Sequence, residues 1–482
     1  MRRAWDARAW ADGRPDKVTP RPGEDLTARW LAELGRLGYR HRVAAVDLTP
    51  SPVGRLDREQ AVDVVLFRLA AARSGWNPAD IRGEVEQLLA AEDIVADPGV
   101  RIELAEDLTA RALQRCVPLL DGDGVPEHIR TWTSQSVLDA EADLTDRLAA
   151  RAVPTEVGVG DADLTPPRQL TDGLGRLDAG QAAVVAVLAG DRQLIVVEGA
   201  AGAGKTTTLF AARELLAGEG RRLVVVNAHA EGRPRRRRRD RPATGSAAWL
   251  VFQHGWRWTE DGTWTRLTAG QADPVTGGVY AGPGESAPLR RGDLLVVDEA
   301  GMLDQDTARA LLTVADECQV PVALIGDRHQ LAAVGRGGVL DLAARAADPA
   351  AHLTLETVHR FTRTDRAGVT VPDSEYADLT LAMRTGEDPG AVFDALVARG
   401  QVRLHSDPGA LTEALAGTAA ASYAEGVRVA VVVDTREQAA ELNAAVRERL
   451  VAVGRVDDAA VVTTRAGQRI GGGSPPAATT AS

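Results

Sequence analysis

The feature that most constrains the fold is the stretch GAAGAGKT, residues 199–206, which matches the pattern G-x-x-x-x-G-K-[ST]. It lies between the apolar run LIVVE and the helix-forming run TTTLFAARELLAG. In such a strand–loop–helix unit, backbone N–H groups and the helix N-terminus face phosphate oxygens. We therefore expect a P-loop that binds ATP, with Lys205 on the β- and γ-phosphates and the Thr206 hydroxyl on Mg²⁺. The expected ATP-binding residues are Gly199, Ala200, Ala201, Gly202, Ala203, Gly204, Lys205, Thr206 and Thr207.

The pattern around the P-loop predicts an α/β fold. Short apolar runs, LIVVEG, RLVVVN, DLLVVDEA, VPVALIGD and VRVAVVVD, alternate with helical runs. Continuous apolar strands between helices are typical of a parallel sheet that is covered on both faces. The polar and aromatic stretch FQHGWRWTEDGTWTRL is expected to form a hairpin, and residues 1–150 are predicted to be a helical accessory region.

In the run DLLVVDEAG, two adjacent carboxylates, Asp298 and Glu299, follow the apolar strand, and we assign a role to each. Asp298 at the strand end suits an outer ligand of the Mg²⁺ that the P-loop holds. Glu299 suits positioning and activation of the attacking water. An acidic pair at a solvated strand end is common, but the same pair after a P-loop in an alternating α/β chain favours a catalytic role.

Three further polar residues are candidates, each with a structural alternative. Gln330, after the strand VPVALIGD, could report on the γ-phosphate, and Arg360 could stabilise charge on the transferred phosphoryl group. Gln181, at a predicted helix start, could pair with adenine. The alternatives are an ordinary surface polar residue for the first two and a helix-surface glutamine for the third.

Charge and composition limit the setting of the protein. The net charge of −12 gives no whole-chain attraction for nucleic acid, so any such site must be a local patch. Two cysteines cannot build a disulfide framework or a zinc site. No apolar run approaches the roughly 18 residues that a membrane helix needs, and the N-terminus lacks a secretory signal. We expect a cytoplasmic protein without a membrane segment.

The motif order LDAGQ, GAAGAGKT, VVDEAGML, IGDRHQL and TVHRF resembles superfamily 1 DNA helicases of the RecD-like, 5′-to-3′ branch. The likeness is strongest to the helicase part of TraA/TrwC-type (MobF) conjugative relaxase–helicases, and VVDTREQAAELNAAVRERL resembles a segment of their second motor domain. The resemblance assigns Gln181 to adenine, Lys205 and Thr206 to phosphate and Mg²⁺, and Asp298 and Glu299 to Mg²⁺ and hydrolysis. It makes Gln330 the γ-phosphate sensor and Arg360 an arginine on the phosphates.

The resemblance also implies a domain order and partners. It predicts a connector over 1–150, a linker over 151–173, a RecA-like ATPase domain over 174–350, a partial second RecA-like domain over 351–471 and a disordered tail over 472–482. Single-stranded DNA and other conjugation or relaxosome proteins are the implied partners. The scattered histidines and the lone Tyr39 in the first 270 residues do not match the nicking module of that family.

The arginine run Arg235–Arg239 stands where the family carries a DNA-contacting motif of the form TPTxKAA. One hypothesis is a real basic loop beside the ATP site. The other is a frame change, because NAHAEGRP written in GC-rich codons and read one base later gives TPTRKAA. The tail SPPAATTA, written in such codons and read with the neighbouring base restored, gives VATRRNDR, so 227–244 and 472–482 are the two places where we expect a frame change. The nucleotide sequence decides between the hypotheses.

The sequence thus predicts an ATP-hydrolysing helicase segment, truncated and without nicking activity. The alternative is a nucleotide-binding remnant that binds ATP but does not unwind DNA. A P-loop kinase is disfavoured because no acceptor-binding segment is evident.

Overall fold

The computed structural model describes most of the chain, and its residues fall into two compact units. Described are 31, 32, 34–36, 51–120, 126, 128–153, 177–228, 245–259, 262–284, 287, 289–330, 333, 335–365, 367–386, 388–458, 461–463 and 469–471. The first unit comprises Met1–Leu144, His254–Gly282 and Val334–Gly337, and the second comprises Thr145–Gln253, Pro283–Ala333 and Gly338–Ser482. The arginine run, most of the predicted linker and the tail lie outside the described residues.

The first unit is built on helices, as the sequence predicts. Its helices are α1 (Arg58–Ala72), α2 (Pro78–Ala91), α3 (Pro98–Gln114) and the start of α4 (Gln135–Ala152), with short strands β1 (Val117–Pro118) and β2 (Trp132–Thr133). The α2 helix begins at a capping box, because Asn77 and Asp80 bond reciprocally to each other's backbone N–H. Trp76 is fully buried and belongs to the apolar core of this unit.

The second unit contains a six-stranded parallel sheet with flanking helices. In chain order its elements begin with α5 (Ala179–Ala189), β3 (Leu194–Gly199), α6 (Lys205–Gly218), β4 (Leu223–Asn227), β5 (Gly245–Ser246) and α7 (Ala247–Gln253). The hairpin strands β6 (Trp256–Trp258) and β7 (Trp264–Arg266) follow in the chain and belong to the first unit. The second unit continues with β8 (Leu294–Asp298), α8 (Gln305–Cys318), β9 (Val322–Gly326), α9 (Val339–Ala346) and β10 (His352–Leu355).

The strand order in this sheet is β10-β3-β9-β8-β4-β5, and every pair is parallel. All residues of β3 and β9 are buried, which explains their unbroken apolar sequences. Parallel strands end at the same edge, so the loops after β3, β8 and β9 share one edge of the sheet. The expected α/β fold, with a RecA-like P-loop sheet and a helical N-terminal region, is confirmed.

Helices dominate the rest of the second unit. A short hairpin, β11 (Thr362–Thr364) with β12 (Thr370–Pro372), precedes α10 (Ser374–Thr385), α11 (Pro389–Ala398), α12 (Pro408–Ala424) and α13 (Arg436–Ala452). A second hairpin pairs β13 (Val461–Thr463) with β14 (Arg469–Gly471).

One expected strand is not observed. The run VRVAVVVD, residues 427–434, has no strand assignment, and Val427, Val429 and Val432 are exposed. A strand of this kind needs a neighbour on which to form its ladder, and none pairs with it among the described residues. The helix predicted from TREQAAELNAAVRERL is present as α13.

Candidate functional site

The loop between β3 and α6 has the geometry of a P-loop. Gly202 and Gly204 adopt left-handed backbone angles, with φ of 90° and 83°. The Lys205 ammonium donates a hydrogen bond of 3.0 Å to the Gly199 carbonyl oxygen. Thr206 and Thr207 are exposed in the first turn of α6, whereas Ala200 and Ala203 are buried. The N-terminus of α6 and the loop before it therefore offer backbone N–H donors to an anion.

Close neighbours explain why glycine stands at both positions. A Cβ on Gly202 would lie 2.5 Å from the Cβ of Arg360. A Cβ on Gly204 would collide with the Gln181 side-chain amide. The structure thus brings three separately predicted elements together at the P-loop, namely the glycine loop, Gln181 and Arg360.

Asp298 and Glu299 lie at the end of β8. The Asp298 Oδ1 accepts a hydrogen bond of 3.0 Å from the Glu299 backbone N–H. Burial raises the pKa of the Asp298 carboxyl, although that N–H and the positive charge of Lys205 act in the opposite direction. Glu299 itself adopts a left-handed backbone angle, with φ of 56°, that turns the chain sharply after the strand. Strained angles of this kind concentrate at functional sites.

The residues expected to hold Mg²⁺ fit that ion chemically. The Thr206 hydroxyl and the Asp298 carboxylate are hard oxygen donors, which Mg²⁺ prefers. Among the described residues, no group of three or more His, Cys, Asp or Glu side chains could hold a metal by itself. Mg²⁺ commonly takes one or two protein oxygens and completes its shell with water and substrate phosphate, so this small donor set suffices.

Gln181 occupies a capping position as well as a place beside the P-loop. It is 5% exposed. Its Oε1 accepts a hydrogen bond of 3.1 Å from the Asp178 backbone N–H, while its own N–H donates to Asp178 Oδ1 at 2.7 Å. This capping box starts α5 and turns the Gln181 amide towards Gly204. Gln181 is therefore a buried capping residue and not the helix-surface glutamine of the structural alternative, and the adenine contact stays a prediction.

Arg360 is held at the P-loop by its neighbour, His359. The His359 backbone N–H donates to the Gly202 carbonyl at 2.9 Å. The His359 ring nitrogen Nε2 lies 2.8 Å from Asp178 Oδ2. Sequence reasoning missed both His359 and Asp178, although each lies within three residues of a predicted site residue. In the structure the His359 and Asp178 side chains are 45% and 30% exposed. From sequence alone, each looks like an ordinary surface residue.

Gln330 lies in the segment 327–330, here called the β9 loop. Its Nε2 donates to Asp327 Oδ2 at 3.3 Å, and its side chain is exposed. Asp327 was not predicted to matter, yet it is 3% exposed and pairs with Arg384 of α10 at 2.8 Å. Its burial could not be inferred from sequence, because the partner lies 57 positions away.

A second buried carboxylate, Glu198, lies directly before the P-loop. His352 Nε2 is 2.8 Å from Glu198 Oε1. Arg328 Nε is 2.9 Å from Glu198 Oε2, as an ion pair whose N–H direction does not complete a hydrogen bond. The strand before the P-loop is thereby tied both to β10 and to the β9 loop. Sequence reasoning treated Glu198 only as part of an apolar strand.

The predicted hairpin is present in the first unit and carries a tryptophan face. In the β6–β7 register, Trp256 opposes Arg266 and Trp258 opposes Trp264. The rings of Trp258 and Trp264 stack with centroids 4.9 Å apart, and the Arg266 guanidinium lies 5.6 Å from the Trp256 ring. Trp258 is exposed, whereas Trp256 and Trp264 are half-buried. Unpaired bases stack on accessible aromatic rings of this kind beside arginine.

Comparison with protein families gives one match. Residues 176–407, just under half of the chain, match the family model AAA_30, described as an AAA domain. This supports a P-loop, ATP-binding domain of the superfamily 1 helicase-like type in that region. A search of curated proteins found no match. Within the described residues, no helix is both long and apolar enough to cross a membrane.

Proposed function

We propose that the protein is an ATP-hydrolysing DNA motor, of the 5′-to-3′ RecD-like helicase kind, and that it is the helicase segment of a TraA/TrwC-type conjugal-transfer protein. The observation that carries the proposal is the meeting of the P-loop, Gln181 and Arg360, with His359 bonded to Gly202. A P-loop alone binds nucleotide. An arginine from a later loop held against it can stabilise the charge that develops during phosphoryl transfer. The family match over 176–407 supports the same class.

The chemistry is positioning and electrostatics on the γ-phosphate. Lys205 would leave the Gly199 carbonyl and bind the β- and γ-phosphates. Thr206 and Asp298 would hold Mg²⁺, which neutralises charge on the phosphates. Glu299 would orient and activate the attacking water, and Arg360 would stabilise the charge that develops on the transferred group. Gln330 would respond to the presence of the γ-phosphate.

Single-stranded DNA is the proposed polymer substrate, with relaxosome proteins as further partners. The tryptophan face of the β6–β7 hairpin supports a nucleic-acid partner, because stacking on aromatic rings is tolerant of base sequence. With a net charge of −12, binding must depend on such local surfaces.

The test is ATP hydrolysis by the full chain, with and without single-stranded DNA. We expect hydrolysis that DNA stimulates, together with separation of a duplex that carries a 5′ single-stranded tail. Lys205→Ala should lower hydrolysis at least about a hundredfold, since the lysine acts directly on the transferred phosphoryl group. Hydrolysis that survives in Lys205→Ala would show that the P-loop assignment is wrong.

The second candidate is a nucleotide-binding remnant that does not unwind DNA. It is favoured by the run 427–434, which has no strand partner among the described residues, where a second motor domain would need a sheet. Nucleotide binding with no stimulation by DNA and no strand separation would support the remnant and contradict the motor.

A further inference from the structure

The helix α10 contacts, at its two ends, neighbours of two residues that are predicted to act at the γ-phosphate, Gln330 and Arg360. Its C-terminal end reaches the β9 loop that carries Gln330. Its N-terminal end contacts the residue after Arg360. The proposed function gives α10 no role.

The C-terminal contact is a buried ion pair. Arg384 Nε donates to Asp327 Oδ1 at 2.8 Å, and the two side chains are 17% and 3% exposed. The same Oδ1 accepts the His329 backbone N–H at 3.1 Å, and the other oxygen accepts Gln330 Nε2 at 3.3 Å. Asp327 therefore joins the guanidinium of α10 to both the backbone and the side chain of the β9 loop.

The N-terminal contact uses backbone and aromatic rings. The Asp373 N–H, just before α10, donates to the Phe361 carbonyl at 2.9 Å. The Phe361 ring meets the Tyr376 ring edge to face, with centroids 4.7 Å apart. Since Phe361 follows Arg360 directly in the chain, a shift of Arg360 acts on the first turn of α10.

The helix between these contacts is a regular element. It is capped by Asp373, whose carboxylate accepts the Tyr376 N–H, and it ends at Gly386 in a left-handed conformation. Twelve residues of α-helix span about 18 Å at 1.5 Å per residue. Such a helix transmits a displacement of one end to the other more readily than a loop does.

We propose that α10 is a coupling helix that makes the β9 loop and the Arg360 loop respond together to the γ-phosphate, and that Arg384 is the positioning residue of this coupling. The proposal rests on the proposed function for the chemistry at the P-loop. A γ-phosphate that attracts the Gln330 amide weakens its bond to Asp327, and one that attracts Arg360 pulls on Phe361. Because α10 is bonded to Asp327 at one end and contacts Phe361 at the other, the β9 loop and the Arg360 loop move together.

The test compares Arg384→Gln with Arg384→Lys and with a matched control, Arg222→Gln. Arg222 also pairs with a buried carboxylate, Asp293, with Nε to Oδ1 at 2.9 Å. That pair lies where β4 and β8 begin, at the end of the sheet opposite the P-loop. Both glutamine variants leave a buried aspartate without its arginine, so a general loss of stability affects them alike.

Two measurements are made on the full chain. The first is amide hydrogen exchange without nucleotide. Arg384→Gln should speed exchange at His329 and Gln330 at least about tenfold relative to Arg222→Gln, because a tenfold change corresponds to one ordinary hydrogen bond. Equal exchange in the two variants overturns the positioning role, whatever the ATPase result.

The second measurement separates kcat from KM for ATP. Arg384→Gln should lower kcat about tenfold with KM within about threefold, because binding contacts remain and only the joint alignment is lost. Arg384→Lys should recover part of the loss and Arg222→Gln should keep the wild-type kcat. Equal kcat in Arg384→Gln and the control contradicts the coupling. If the wild-type chain binds no ATP, the proposed function fails, while the exchange result still decides the role of Arg384.

Discussion

Asp293 directly precedes β8 and Asp298 is its last residue, and the two carboxylates differ in their partners. Asp293 is buried and its carboxylate is bonded to Arg222. Asp298 is mostly buried, and its pKa is raised by that burial. A carboxyl group with a raised pKa stabilises the fold when it is protonated, and this contribution is lost as the pH rises through the raised pKa.

The Asp298→Asn substitution should therefore stabilise the protein without nucleotide at neutral pH, by something of the order of 1 kcal/mol. It should also abolish hydrolysis, because the amide is a poor Mg²⁺ ligand. Thermal unfolding with and without Mg²⁺ and an ATPase assay measure the two effects. The stability difference should shrink at acid pH, where the wild-type carboxyl is protonated as well.

Asp293→Asn is the matched control for that substitution. It breaks an ion pair and should destabilise the chain by about 1–3 kcal/mol. If both substitutions at the ends of β8 destabilise equally at neutral pH, burial of Asp298 is not what sets its pKa.

Individual site residues were predictable where a motif defines the chemistry. Lys205, Thr206, Asp298 and Glu299 follow from a glycine loop and an acidic strand end, and the structure places them after β3, at the start of α6, and at the end of β8, on one edge of the same sheet. His359 was not predictable, because its importance depends on contacts with segments far away in the chain. The roles of all these residues stay predictions.

At the scale of elements, apolar runs identified the buried strands β3, β4, β8 and β9 because a central parallel strand has no polar face. The same rule predicted a strand at 427–434, where the structure has none. An apolar, β-branched run favours the strand conformation, but a strand also needs a partner strand that lies elsewhere in the chain. Sequence patterns of a single segment do not contain that information.

The β6–β7 hairpin depends on a charge pair at its inner face. Arg257 donates to both carboxylate oxygens of Asp273, at 2.9 and 2.6 Å, and Thr276 adds a third bond. The guanidinium holds the pKa of Asp273 well below its usual range. A lowered pKa gives stability that is present above the ordinary carboxyl pKa and is lost as the pH falls through the lowered value.

We expect Asp273→Asn to lower the unfolding temperature of the hairpin region by several degrees at neutral pH, because one bidentate charged pair is lost. Tryptophan fluorescence reports on this change, since three of the nine tryptophans lie in the hairpin and two of them stack on each other. Thr276→Val, which removes a single hydrogen bond, should have the smaller effect. A hairpin that is equally stable in both variants would contradict the importance of the Arg257 pair.

On the scale of the whole molecule, the second unit carries the nucleotide site and the first carries the hairpin and the helical core. The sequence predicted the two kinds of architecture correctly. The predicted domain boundaries follow chain order and stay predictions, whereas by their contacts residues 254–282 group with the N-terminal helices. Such an excursion is hard to predict, because an inserted segment packs according to three-dimensional neighbours and not to its place in the chain.

Nucleotide should stabilise the full chain by mass action, since the P-loop residues are brought together only in the folded state. At a concentration a hundredfold above Kd, Mg²⁺-ATP should add about 2.7 kcal/mol. That corresponds to a rise in Tm of roughly 5–10 °C for a domain of 150–250 residues. Removal of Mg²⁺ with a chelator should reduce the shift, because the nucleotide then loses the ion that Thr206 and Asp298 would hold.

Two variants separate nucleotide binding from general stability. Arg222→Gln should begin at a lower Tm and show the same nucleotide shift as the wild type, whereas Lys205→Ala should begin near the wild-type Tm and show little shift. A full shift in Lys205→Ala would mean that ATP binds somewhere other than the loop between β3 and α6.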